Sequence, residues 1–193
     1  MAANNSNEGW YDETAYSTPE DALKKMTFPP SKLHKPELYQ EEQEILNHIC
    51  GWSHVMNKLF NQSIEPGRPF YDFDDAMTYD IYGFTPRGGM LEHYNQTFHY
   101  FSNSRFEMKD LEPVATSKTS GYITMMQRLV GGTSDDGIKF EMTYRITYIL
   151  AKIDGAWKFV HEHVSFPVEM STMKADPTCT IDPLKAFKGI ASQ

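Results

Sequence analysis

The residue best suited to chemistry is Asp80, at the end of Ala76-Met77-Thr78-Tyr79-Asp80-Ile81-Tyr82-Gly83. In that segment Ala76, Thr78 and Asp80 alternate with Met77, Tyr79 and Ile81. A carboxylate at a strand end beside an apolar cavity gains basicity as it loses hydration, which suits removal of a carbon-bound proton. A strand-end Asp that only caps the next turn is the plainer reading. His161 and His163 form a His-x-His pair on one strand face, a spacing that suits zinc if a neighbouring strand brings a third ligand. Alternation sets Trp157, Phe159, His161, His163 and Ser165 against Lys158, Val160, Glu162 and Val164, without saying which set faces inward. Asp72, Asp74 and Asp75 lack the spacing of a calcium loop and read as a solvated loop. No Gly-x-Ser-x-Gly elbow, glycine-rich phosphate loop or dinucleotide fingerprint occurs. The chemistry is therefore read as independent of cofactor and metal.

These residues need elements to hold them. Ile45, Ile49, Trp52, Met56 and Leu59 recur at helical spacing after Pro36, so a long helix with one apolar face is expected there, ending between Asn61 and Pro69. A second helix follows Pro86-Arg87-Gly88-Gly89, with Met90, Leu91, Tyr94, Phe98 and Phe101 as its stripe and His93 at the rim. The chain then turns to strands at Phe106 to Lys118, Gly121 to Val130, Ile138 to Ile153 and Trp157 to Val168, with hairpin signals at Gly131-Gly132 through Asp136-Gly137 and at Asp154-Gly155. Helices gathered on one face of a curved antiparallel sheet make an α+β domain whose concave side is a natural pocket.

Of 193 residues, 40% are apolar and 13% aromatic, enough for a core and a ring-lined cavity. A net charge of −8, without a basic run, argues against nucleic acid or an anionic membrane as partner. No apolar stretch is long enough to span a bilayer, and no secretion signal is visible, so a cytoplasmic protein is the expectation. Cys50 and Cys179 lie far apart and suggest no disulfide framework. Residues 1–35 read as an extension that packs on the body or on a neighbour, 36–168 as the domain and 169–193 as an extended tail ending in a short helical turn.

The Asp80 segment with Pro86-Arg87-Gly88 resembles the strand-to-helix passage of ketosteroid isomerases. The ending Asp154-Gly155-Ala156-Trp157-Lys158-Phe159-Val160-His161-Glu162-His163-Val164-Ser165-Phe166-Pro167 resembles the closing hairpin of SnoaL-like proteins, members of the nuclear-transport-factor-two-like superfamily. The resemblance covers roughly residues 38 to 168. It implies a cone-shaped antiparallel sheet closed by N-terminal helices, with Asp80 as general base and Tyr144, joined by Tyr148, stabilising an oxyanion. The family's other oxyanion tyrosine falls at Met56, which cannot donate, so the resemblance does not extend to steroid isomerisation. It also implies that Glu162 and Val164 face inward, with Tyr144, Ile146 and Tyr148 and, one strand earlier, Thr124, Met126 and Arg128. Arg128 would then pair with Glu162 or hold an anionic group. Trp52, Met56, Tyr82, His93, Thr124, Met126, Arg128 and Glu162 are thus expected to contact a small-molecule substrate. The expected function is isomerase, lyase, dehydratase or cyclase chemistry on an apolar, aromatic or polycyclic molecule, in a homodimer or homotrimer. A non-catalytic ligand-binding or assembly subunit, like the β subunits of aromatic-ring dioxygenases, is the alternative.

Overall fold

A computed structural model describes residues 9–59, 63–101 and 103–183. The sequence offers a strong helix start at Thr18-Pro19, and α1 (Pro19–Lys24) forms there. The Thr18 side chain accepts the Asp21 N–H at 3.2 Å, and Pro19 takes the first turn, where its missing N–H costs nothing. After a 3-10 turn at Pro36–Leu38, α2 (Tyr39–His54) buries Ile45, Leu46, Ile49 and Trp52, as its stripe requires, and runs on into a π-helical turn at Val55–Leu59. Where that helix was expected to end, residues 60–62 lie outside the description, as do the first eight residues and the helical turn expected at the C-terminus. A 3-10 turn at Glu65–Phe70 then packs on α2. Gly67 sits where a Cβ would meet the Trp52 ring at 2.7 Å, so only glycine lets the turn close over the indole.

The sheet holds β1 (Met77–Asp80), β2 (Gly83–Thr85), β3 (Arg105–Ser117), β4 (Ser120–Thr133), β5 (Lys139–Ile153) and β6 (Ala156–Ser165), with α3 (Met90–Phe101) between β2 and β3. Its order is β2-β1-β6-β5-β4-β3. All pairs are antiparallel except β1 with β6, where Thr78 lies beside Glu162. The sheet is curved and open. A small hairpin, β7 (Val168–Glu169) with β8 (Lys174–Ala175), follows. Among the described residues no helix is long and apolar enough to cross a membrane.

Bulges decide which side chains face inward, because one extra residue flips every later position to the other face. Beyond the β4–β5 turn the ladder starts with Thr133 opposite Lys139 and Gly132 opposite Phe140. A register shift between Val130 and Gly132, with Gly131 at φ 83°, then sets Gln127 opposite Tyr144. Unbroken counting from Gly132 and Phe140 would have put Arg128 there. Thr124, Met126 and Arg128 consequently lie on the outer face, and Ile123, Met125, Gln127 and Leu129 are the buried set. This corrects the expectation that the first three line the cavity. A second shift, between Ile149 and Leu150, lets β6 bury Trp157 and Phe159 before it and Glu162 and Val164 after it. The strict alternation assumed for this strand is broken at that point.

β3 is an edge strand, and its exposed rim is covered rather than left open. Tyr11 exchanges two backbone hydrogen bonds with Met108 at 3.0 and 2.7 Å, and the Asn57 amide pairs with the N–H and C=O of Phe106 at 2.7 and 3.2 Å. Further along the extension, the Thr27 N–H donates to Asp110 and the Ser31 N–H to Glu112. His34 stands between Glu42 at 2.9 Å and Glu112 at 3.2 Å. Arg128 pairs with Glu107 and lies 4.8 Å from the centre of the Trp10 ring.

Candidate functional site

The concave face of the sheet, α2 and α3 enclose a cavity of about 50 Å³, and the space reaches about 470 Å³ when its open mouth is counted. The core alone holds a few water molecules. Trp52, Met56, Phe101, Phe106, Met142 and Ile146 make most of the apolar wall.

Near the mouth, the strand end carries Asp80 and the first turn of α3 carries His93. His93 Nε2 lies 3.0 Å from Asp80 Oδ2, and both side chains are mostly buried. The short hairpin of β1 with β2 and the tight turn into α3 bring them together, although thirteen positions separate them in the chain. Tyr82 stands at the rim, half-exposed, and burial of its hydroxyl with the nearby Asp80 charge raises its pKa.

Deeper in, Glu162 is 7% exposed and shares the pocket wall with Asp80. Tyr71 donates to its Oε2 at 2.6 Å, and Tyr94 donates to the Tyr71 oxygen at 2.9 Å. Burial pushes the Glu162 carboxyl up to about 7. The Asp80 charge adds to this, while the Tyr71 hydrogen bond and His93 act against it. Burial also holds the hydroxyls of Tyr71, Tyr94, Tyr144 and Tyr148 well above the ordinary phenol range, so all four stay protonated at neutral pH. Tyr144 donates to Gln127 Oε1 at 2.7 Å, and Tyr148 is hydrogen-bonded to Trp52 and stacked on Phe159.

The cavity thus gathers Asp80, Tyr144, Tyr148, Trp52, Met56, Tyr82, His93 and Glu162 from the sequence expectations. Thr124, Met126 and Arg128 lie outside it; Met126 lines a groove under the C-terminal tail. Tyr144, expected to face an oxyanion, directs its hydrogen to Gln127 instead. His161 is on the outer face, 2.9 Å from the Met77 carbonyl, and His163 is exposed beside the Tyr79 ring. Reasoning from the sequence missed Gln127, which the bulge turns inward, and Tyr71, which meets Glu162 from 91 positions away. A Tyr in a loop rich in Asp carries no signal for that contact.

The profile of the SnoaL-like domain family matches residues 72–169, the stretch from the loop before β1 through β7. An NTF2-like protein of unknown function from Pseudomonas putida is similar in structure, with a TM-score of 0.58 at 21% identity over 75% of this chain and 97% of that one. An NTF2-like superfamily protein from Salmonella enterica gives 0.58 at 17% identity, over 71% and 98%. The association domain of the Caenorhabditis elegans kinase CaMKII gives 0.54 at 11% identity, over 68% and 99%. These likenesses show the fold. None of the curated proteins matches the sequence.

Proposed function

The chain belongs to the SnoaL-like domain family, and from that premise we propose that it is an enzyme moving protons on a small, largely apolar, ring-containing molecule. The reaction class is isomerase, lyase, dehydratase or cyclase, and protein side chains alone suffice for the proton transfers. The observation that carries this reading is the pair of carboxyl groups in one cavity with different surroundings: Asp80 against His93 at 3.0 Å, and Glu162 among tyrosines with its pKa near 7. Two acids whose environments differ in this way divide the roles of base and acid.

In the forward step the Asp80 carboxylate takes a proton from carbon, and the C–H electron pair moves into the substrate. His93 fixes the orientation of the carboxylate. Glu162, protonated in a large share of molecules near neutral pH, returns a proton to the substrate or to a departing oxygen. Met56 lines the pocket without a donor to offer, so the site is not that of a steroid isomerase. The likeness to an association domain keeps an assembly role as the second reading. Against it stands Glu162, buried in the cavity and held by a phenol rather than by a Lys or Arg among the described residues.

The test is carbon-bound hydrogen exchange in D2O, followed by NMR over a panel of cyclic ketones, lactones and substituted phenols. Asp80→Asn should slow the exchange catalysed by the protein by about 10²–10⁴-fold while the variant still folds. Exchange at the original rate in that variant would overturn the assignment of the base.

A further inference from the structure

Gln127 is 2% exposed and lines the cavity, and its Nε2 has no hydrogen-bond partner among the described residues. Its Oε1 accepts the Tyr144 hydroxyl at 2.7 Å. Turning the amide over would not remove the surplus. The pair has three donor hydrogens and one internal bond, so two donors are unused in either orientation. An unmet buried donor is costly to keep, and an apolar residue would fill this position without that cost. The residues around it give no reason of packing for an amide, since Met142, Ile146, Phe106 and Phe101 line the same wall.

We infer that the Gln127 amide is the binding point for a neutral acceptor oxygen of the ligand, and that the substrate is a ring-containing carbonyl compound. Tyr144 is the positioning residue that fixes the amide. The inference deepens the proton-transfer reading and rests on it for the chemical role, but not for the binding.

Two observations narrow the ligand group. Among the described residues no Lys or Arg lines this cavity, while Asp80 and Glu162 do, so a carboxylate or phosphate would meet negative charge there. A neutral carbonyl suits a neutral amide donor. Asp80 and Gln127 line the same cavity from strands β1 and β4, so one ring-sized molecule can present its carbonyl to the amide and a C–H bond to the carboxylate. When the C–H bond breaks, the proton passes to the Asp80 carboxylate. The electron pair delocalises to the carbonyl oxygen, where the amide meets the charge.

The probes are cyclohex-2-en-1-one and, as a shape control without an acceptor, cyclohexene. In the unaltered protein the side-chain amide resonances of Gln127 should shift on titration with the ketone and stay in place with the hydrocarbon. In Gln127→Leu, ketone affinity should fall about tenfold, the equivalent of one well-made hydrogen bond, with the hydrocarbon's affinity unchanged. Equal responses to the two probes, equal losses in the variant, or no ketone binding at millimolar concentration would each overturn the inference. Because the resonance measurement uses the native chain, it decides the matter even if the variant fails to fold. Asp80→Asn separates this from the proposed function: ketone binding that persists while exchange stops upholds both. A normal Gln127 response with undiminished exchange refutes only the base.

Discussion

The two faces of the sheet treat buried acids in opposite ways. On the outer face each one has a strong partner: Asp110 takes a backbone N–H at 2.6 Å, Glu112 takes another and a histidine, and Glu107 takes the Arg128 guanidinium. On the inner face Glu162 is as deeply buried, yet it receives one hydrogen bond from a neutral phenol, and its pKa rises to about 7. Burial alone therefore does not separate a structural acid from a reactive one. The partner does. Asp110 and Glu112 bind the N-terminal extension to the body and Glu107 pairs with an arginine of β4, whereas Glu162 keeps a proton it can give away.

The largest expected effect tests the inner acid. Glu162→Gln should lower turnover by about 10²–10⁴-fold, since the amide cannot deliver a proton. It should also change how stability depends on pH. The folded carboxyl titrates near 7 against 4.5 for its ordinary value, so the folded state holds the proton more tightly than the unfolded state. The contribution is fully present below about 4.5 and is lost as pH rises through 7, amounting to about 3 kcal/mol. The variant has no such loss. Denaturant melts should find it more stable than the native protein at pH 8, with the difference shrinking steadily toward pH 5. A constant difference across that range would mean that Glu162 carries no raised pKa.

The outer acid should behave in the reverse manner. Glu107→Gln removes the charge from a pair whose two side chains are only 12% and 15% exposed. It should cost about 2 kcal/mol by leaving Arg128 short of its partner, and exchange activity should be unaltered. If activity fell in step with stability, the two faces would not be independent, and the contrast would fail.

How far the sequence could take this contrast depended on whether the signal was local. The stripe of α2, the stripe of α3 and the extents of β3 to β6 come from periodicity within single segments, and the helices and strands appear close to where it puts them. The Asp80 and Glu162 placements came from the family resemblance, because alternation within a strand does not say which set of side chains faces inward. Pairing was the part that periodicity could not supply. Gln127 and Arg128 are neighbours in an alternating strand, and nothing in their types says which one turns inward. One residue inserted by a bulge makes the choice. In β6 the same effect divides one strand between two alternations. The thirty residues before α2 hold a visible helix start at Thr18-Pro19, but their docking on β3 depends on contacts more than 80 positions apart.

The smallest expected effect sits at that bulge. Gly131 has φ 83°, and a Cβ there would find open space, its nearest neighbour being the Asn103 carbonyl at 3.8 Å. Gly131→Ala should therefore cost only the left-handed backbone preference, about 1 kcal/mol. Gly131→Asn should cost less, because Asn tolerates that region better. In both variants the bulge should persist and the Gln127 amide should still respond to cyclohex-2-en-1-one. A slipped register would instead set Arg128 opposite Tyr144, bring a guanidinium into the apolar cavity and cost far more than 1 kcal/mol. A melt unaltered by alanine would show that β4 does not need a left-handed residue there, and the bulge would no longer explain why Gln127, rather than Arg128, faces the two carboxyl groups.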